Sequence, residues 1–295
     1  LPDGRWHFQH GPIDLIIGAD GEGDALSQTL ECAWARFQGV LTELAGELAA
    51  LRRSVEQADS LRGPIARRMF AACWPHRMRF ITPMAAVAGA VADEIINYFC
   101  VDERIQRAYV NNGGDIALHL SAGQLLRVGL FADLGRIKRR EPLGLDGDVA
   151  ITADMPVRGV ATSGWHGRSF SLGIADSVTV LARTAADADA AATMVANSVN
   201  ADDPAILRQP ACELKDDTDL GDRLVTVAVG ALSPGKAEEA LDRGQADAQA
   251  LLDAGTIWGA VLSLQGHVRV VGPAFPSHQS NGPQPSPSLR RGSGA

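Results

Sequence analysis

The sequence predicts an α+β fold in a single domain, with mixed, largely antiparallel sheets flanked by helices, and three observations carry that expectation. Short apolar runs bounded by glycine turns follow one another at Ala108 to Asn111, Ile116 to Leu120 and Leu125 to Phe131. From Ala25 to about Val55, Leu26, Leu30, Ala33, Trp34, Phe37, Leu41, Leu44, Leu48 and Leu51 recur at helical spacing. Two further helical stretches, Ala186 to Ser198 and Pro234 to Ala254, complete the set, the second with Ser233 as cap and Gly255 as stop.

Taken in order, Gly11-Pro12 turns into an apolar strand ending near Gly18, and Asp20 to Asp24 reads as a loop. The helix from Ala25 is one long element or two joined near Gly39. Gly63-Pro64 breaks the chain, and a second helix is expected from Pro83 to about Cys100, with Thr82 as its cap. Its start, Met84 to Ala92, is nearly all small residues, which suits close approach to another element or to a flat ligand. The three central runs form antiparallel strands, the last pair turning at Ala122-Gly123. Further strands are expected at Val149 to Ala153, Val157 to Thr162, Ser177 to Ala182 and Arg223 to Val229. A hairpin joins Ile257 to Leu264 with Val268 to Val271 through Gln265-Gly266. These elements make residues 1–272 one domain; the Pro-, Ser-, Gly- and Gln-rich residues 273–295 are expected to be a disordered tail.

Composition narrows the function. A formal charge of −8 and a pI near 5.4 provide no basic field for nucleic acid or anionic lipid. No apolar run reaches the roughly 18 to 20 residues that span a bilayer, so no membrane is expected. Cys32, Cys73, Cys100 and Cys212 stand far apart, without zinc-ribbon or disulfide spacing, which fits a reducing cytoplasm.

Three segments carry candidate chemistry. Asn111-Asn112-Gly113-Gly114-Asp115 puts two glycines beside polar side chains, either an ordinary hairpin turn or one that holds a ligand. Arg158-Gly-Val-Ala-Thr-Ser-Gly164 runs a strand into hydroxyl and glycine residues, a loop or a phosphate or metal cradle. Asp189 and Thr193 lie one helical turn apart, so a carboxylate and a hydroxyl share a face. Oxygen donors of that kind suit Mg²⁺; the bland alternative is a surface helix whose early acids favour its dipole.

In order, Asn-x-Gly-Gly-Asp, Ala-Thr-Ser-Gly, Ser-Val-Thr-Val and Ala-Asp-Ala-x-Ala-Thr resemble the ApbE-like superfamily from about His10 to Asn197, with His10-Gly11-Pro12 similar to the Met-Gly-Thr start of its FAD:protein FMN transferases. The resemblance implies an ApbE-like, T-fold-related fold in which Asp189, Thr193 and the Ala161 carbonyl hold Mg²⁺ at the pyrophosphate of FAD. It further implies that Asn111, Gly113, Gly114 and Asp115 line the flavin or adenosine pocket, with Thr162, Ser163 and Gly164 beside the phosphates. In the transferases the FMN half moves to a Thr or Ser of an acceptor protein and AMP leaves; superfamily members often pair as homodimers. His166, two residues past the loop, is the candidate for proton transfer beside Asp189.

Two departures set the chain apart from the transferases. Trp165 to Asp176 replaces their His-Ile-Ile-Asp-Pro-like segment, and Pro83 to Ala92 replaces a Gly-x-x-Lys-Gly helix without supplying a lysine. Both resemble a compact, functionally uncharacterised branch of the superfamily. The expected function is therefore FAD binding with Mg²⁺-dependent FMN transfer or pyrophosphate cleavage. The alternatives are action on a different small molecule and a non-catalytic flavin- or partner-binding module. Asp176 is read as a second metal ligand or a strand start, and Arg168 as an anion contact or an exposed cation. Cys73 and His76 are read as a half-buried thiol beside a surface histidine, and Asp216 to Asp222 as a solvated acidic turn.

Overall fold

The computed structural model describes residues 1–2, 4–58, 60–130 and 147–273. Its strands are β1 (Trp6–His10), β2 (Ile13–Gly21), β3 (Ile105–Asn112), β4 (Asp115–Leu120), β5 (Leu125–Leu130) and β6 (Gly147–Thr152). They continue as β7 (Gly159–Ser163), β8 (Ser177–Ala182), β9 (Ile206–Pro210), β10 (Leu224–Val229), β11 (Gly259–Leu264) and β12 (His267–Val271). The α-helices are α1 (Gly23–Gly46), α2 (Leu48–Leu51), α3 (Pro64–Cys73), α4 (Val87–Ile96), α5 (Ala185–Ser198), α6 (Ala211–Leu214) and α7 (Pro234–Asp253). Eight strands form one sheet in the order β1-β2-β3-β4-β7-β8-β11-β12, antiparallel at every pairing, and helices flank it. The expected tail, apart from Pro273, and Phe131 lie outside the described residues.

Two apolar clusters join the sheet to its helices. Leu15, Ile17 and Val110 meet Phe37, Met69, Ile95 and Phe99 under α1, α3 and α4. Val178, Val180 and Leu262 meet the alanines of α5 together with Ala240 and Leu241 of α7. Leu118, Leu120, Val160 and Leu181 pack instead on Val128, Val149 and Ile151 of the β5–β6 ribbon. β8 is therefore buried along its whole length, which its unbroken small and apolar sequence permits.

Several elements differ from the sequence reading. α1 runs straight through Gly39 and ends at Glu47, where the apolar period continues although the backbone leaves the helix. Gly63-Pro64 starts a helix: Gly63 is the N-cap of α3 and Pro64 fills its first turn. The Pro83 helix is a 3₁₀ turn, Pro83–Ala86, followed by α4 and a second 3₁₀ turn, Asn97–Cys100. Thr82 stands at the cap position, but its hydroxyl donates to Asp219 and caps nothing. β5 turns away from β4 and pairs with β6. Ser233 caps α7 as expected, accepting the Lys236 N–H at 3.4 Å, and Gly255 beyond the helix has φ +70°.

His76, expected at the surface, is 4% exposed, and its Nε2 has no hydrogen-bond partner among the described residues. Burial, with help from nearby Arg79, lowers its pKa to about 4, so it folds as the neutral base. A histidine depressed in this way lends stability that is complete above its unfolded pKa near 6.5 and is lost as pH falls towards 4. Urea titrations at pH 7.5 and pH 5 should show His76→Gln losing about 2 kcal/mol less than the native chain over that interval. Equal losses would mean that the ring is not held neutral by the fold.

Candidate functional site

A cavity of about 1090 Å³ opens at the end of the sheet where β3 turns into β4 and β7 ends. The hairpin turn is tight: Asn112 faces Asp115 in the ladder, and Gly113 and Gly114 take φ of +70° and +116°. Asn111 Oδ1 accepts the Gly114 N–H at 2.8 Å, which fixes the turn's outline. Asn112 Nδ2 donates to the Ala88 carbonyl at 3.1 Å, tying the turn to the small-residue first turn of α4. The segment Met84 to Ala92 makes the close approach to another element and also borders the cavity. Met84, Ala85, Val87 and Ala88 line the cavity, while Gly89 lies so close to α5 that a Cβ there would sit 2.2 Å from the Ala185 carbonyl oxygen.

Two carboxylates face this space from different elements, Asp115 at the start of β4 and Asp189 on α5. The Thr162 N–H donates to Asp115, and the N–H groups of Gly89 (3.0 Å) and Ala88 donate to Asp189. Desolvation raises the pKa of both; for Asp189 the neighbouring Asp115 charge raises it further, whereas Arg168 acts in the opposite direction on Asp115. Paired carboxylates walled in by protein, with a hydroxyl one turn along at Thr193, are a hard oxygen donor set suited to a divalent cation. Among the described residues no group of three or more His, Cys, Asp or Glu could hold a metal, so a cation here would complete its shell with hydroxyl, peptide, water or ligand oxygens.

Arg168 comes from the segment that departs from the transferases. Its guanidinium lies over Gly113, where a Cβ would meet Nη2 at 1.7 Å, and it adds a cation to the cavity wall beside Asp115. The same segment is anchored through Asp176, whose Oδ1 accepts the Trp165 indole N–H at 3.3 Å and whose Oδ2 accepts the Gln265 N–H at 2.6 Å. Asp176 thus fastens a loop to the β11–β12 turn.

Asn111, Gly113, Gly114, Asp115, Thr162, Ser163, Gly164, His166, Asp189 and Thr193 all line this one cavity. Ala161 does not: it is fully buried in the core under α5, with its backbone opposite Val180 in the β7–β8 ladder. The Thr162 hydroxyl is shared with Thr179 at 2.8 Å, so its part in the wall is already engaged. His166 lies against Trp165, the rings tilted by 34° with centroids 3.6 Å apart.

Sequence reasoning missed Arg5, Arg52, Phe80 and Asn197 in the lining. Asn197 was findable, since it extends the Asp189/Thr193 spacing by one more helical turn. The others follow from long-range packing. The acidic turn is also more than solvated surface. Asp217 pairs with Arg52 at 2.8 Å, Asp219 accepts from the Thr82 hydroxyl, and both line the cavity.

A helix-flanked antiparallel sheet whose ordered motifs converge on one cavity defines an ApbE-like α+β protein. The chain belongs to the AbpE bacteria family, whose sequence profile matches residues 1–270. A UPF0280 protein of Methanothermobacter thermautotrophicus is 36% identical over 188 residues, covering 61% of this chain and 68% of the relative. Another, from Methanothrix thermoacetophila, is 39% identical over 140 residues, covering 47% of this chain and 54% of its own length. The crystal structure of the ApbE protein from Thermotoga maritima covers 90% of this chain and 96% of its own, at 12% identity and a TM-score of 0.43. The four cysteines are free, and among the described residues no helix is long and apolar enough to cross a membrane.

Proposed function

We propose that the chain binds a flavin dinucleotide in the large cavity and, with Mg²⁺, transfers its FMN half to a hydroxyl acceptor or cleaves its pyrophosphate. The observation that carries this reading is the meeting of Asp115 and Asp189, with Thr193 and the Thr162-Ser163-Gly164 strand end, in one space of about 1090 Å³. That volume suits a ligand at or above the upper end of ordinary small-molecule sites, roughly 1000 Å³. Asp189 and Thr193 would hold the metal, with Asp115 beside them and the Ala161 carbonyl as the further donor that the resemblance implies. Bound there, Mg²⁺ supplies charge neutralisation at phosphoryl oxygens.

The remaining roles belong to the protein. Arg168 meets the anionic part of the ligand, and the Gly113-Gly114 backbone allows a flat ring to approach. His166 takes the proton of the attacking hydroxyl as the new phosphoester forms and the bond to AMP breaks. The partners are a small-molecule ligand and, for transfer, an acceptor protein; a homodimer of cytoplasmic location accords with the resemblance and the free thiols.

Incubation of the pure protein with FAD, Mg²⁺ and a threonine-bearing peptide should release AMP with equivalent FMN or flavinylated peptide, and EDTA should abolish both. If no AMP forms, the transfer reading falls. A second reading, an ApbE-like enzyme acting on a different anionic small molecule, is favoured by Arg168 in the rebuilt segment. Arg168→Gln should weaken retention of the true ligand about tenfold or more, read by mass spectrometry of what denaturation releases. Unchanged retention would remove Arg168 from the binding wall.

A further inference from the structure

β4 runs away from the large cavity, and β7 runs back towards it, so His119 and Arg158 stand towards the far end of the sheet, while Leu118 borders both spaces. There a second cleft of about 270 Å³ opens between the end of α4, these residues and the junction of β8 with α5. Arg68, Arg158 and Arg183 line it, together with His119, Asn97 and Asp93.

The charges do not cancel. Arg68 is offset by Glu94 at 3.0 Å. Among the described residues Arg158 is held by peptide oxygens: Nη1 donates to Met155 (2.9 Å) and Val157 (2.6 Å), and Nη2 to Ala153 (2.8 Å). Carbonyls fix the fork's direction without neutralising its charge. Arg183 is exposed and makes no ion pair among the described residues. Asp93 is the carboxylate in the lining and offsets part of this positive charge, chiefly that of Arg68; its oxygens accept the N–H groups of Ala185 and Ala186 at 2.9 Å each. His119 faces the Ile105 carbonyl through Nε2 at 3.1 Å, which makes that nitrogen the donor and leaves Nδ1 for another partner.

We propose that this cleft is a second binding site, separate from the large cavity, for a small phosphate-type dianion: free phosphate or the head of a phosphate monoester. Arg183 supplies charge and a planar donor fork matched to phosphate oxygens, Arg158 adds charge and the donors that its carbonyl partners leave over, and Asn97 offers a neutral polar contact. A cleft of about 270 Å³ is too small for a dinucleotide and ample for one phosphate group with a short organic stem.

The test uses the full chain, with thermal unfolding and calorimetry in sodium phosphate against sodium chloride of equal ionic strength, and a parallel series in glycerol phosphate. Phosphate should stabilise the native protein beyond chloride, and Arg183→Gln should weaken its binding about tenfold or more. Because Arg183 is exposed and unpaired among the described residues, that variant should fold normally; Arg158→Lys, which keeps charge but loses the fork, should weaken binding as well. Tighter binding of glycerol phosphate would identify a monoester as the ligand, and equal binding would identify the phosphate group alone. No stabilisation beyond chloride overturns the assignment. So does binding that survives both variants, or binding that survives Arg183→Gln and is lost in Arg168→Gln, which would place the anion in the large cavity.

Discussion

Alanine at Gly159 is expected to cost about 4 kcal/mol or more, and alanine at Gly89 a similar amount, each from adding one methyl group. A Cβ at Gly159 would lie 2.0 Å from the Thr184 carbonyl oxygen and 2.1 Å from its carbonyl carbon; at Gly89 it would lie 2.2 Å from the Ala185 oxygen. In both cases the obstacle is backbone at the start of α5, which cannot rotate aside as a flexible side chain can. Relief requires moving α5 off the sheet, and the buried alanines of that helix then lose their contacts with Val178 and Val180. The matching control is Gly39→Ala. Gly39 lies in α1 on its exposed side, where a new Cβ would come no closer to a neighbour than 3.9 Å, from the flexible end of Arg36, so helix propensity should make this change stabilising by roughly 0.5 to 1 kcal/mol. Urea denaturation of the three variants reads the contrast directly. Similar midpoints for Gly159→Ala and Gly39→Ala would show that α5 does not sit as tightly on β7 as these distances require.

The same helix shows what could be read from sequence and what could not. Its extent was legible from the alanine-rich run Ala186 to Ser198; its cap, Thr184, which accepts the Asp187 N–H at 3.1 Å, appears in the structure. The shared face of Asp189 and Thr193 was legible because helical spacing alone decides it. That Asp115 stands beside Asp189 was not, since their meeting depends on the β4–β7 pairing and on α5 crossing over it. The limits of α1 were hidden for a different reason: Leu48 and Leu51 continue the apolar period past the break at Glu47, so periodicity ran on where backbone geometry stopped. α3 was concealed by reading Gly63-Pro64 as an interruption, although Ile65, Met69, Ala72 and Cys73 bury a helical stripe behind it. β9 has no strong strand signature and pairs with β10 alone, in a two-stranded sheet apart from the main one, so only tertiary pairing reveals it.

Replacing Asp189 by asparagine should separate stability from function in opposite directions. Desolvation first, and then the charge of Asp115, raise the Asp189 pKa well above the usual carboxylate range, so in the metal-free protein its proton is bound more tightly when folded than when unfolded. The sign follows: the stability this group lends is complete below its unfolded pKa near 3.8 and is lost as pH rises through the folded value. Asparagine stays neutral at every pH, and its Oδ1 can still accept the Gly89 N–H that Asp189 holds at 3.0 Å. Without metal, Asp189→Asn should therefore be more stable than the native chain at pH 8, with the advantage vanishing near pH 4. Added Mg²⁺ should reverse the order, because a cation between the carboxylates removes their repulsion in the native protein and finds one of them missing in the variant. Retention of FAD should fall on the order of 100-fold, at the upper end of what even a displaced supporting group costs a metal site. Thermal unfolding at pH 4 and pH 8, each with Mg²⁺ and with EDTA, tests both halves. A variant that is less stable at pH 8 without metal, yet responds to Mg²⁺ as the native chain does, would mean that Asp189 is a buried structural acid and not a metal ligand.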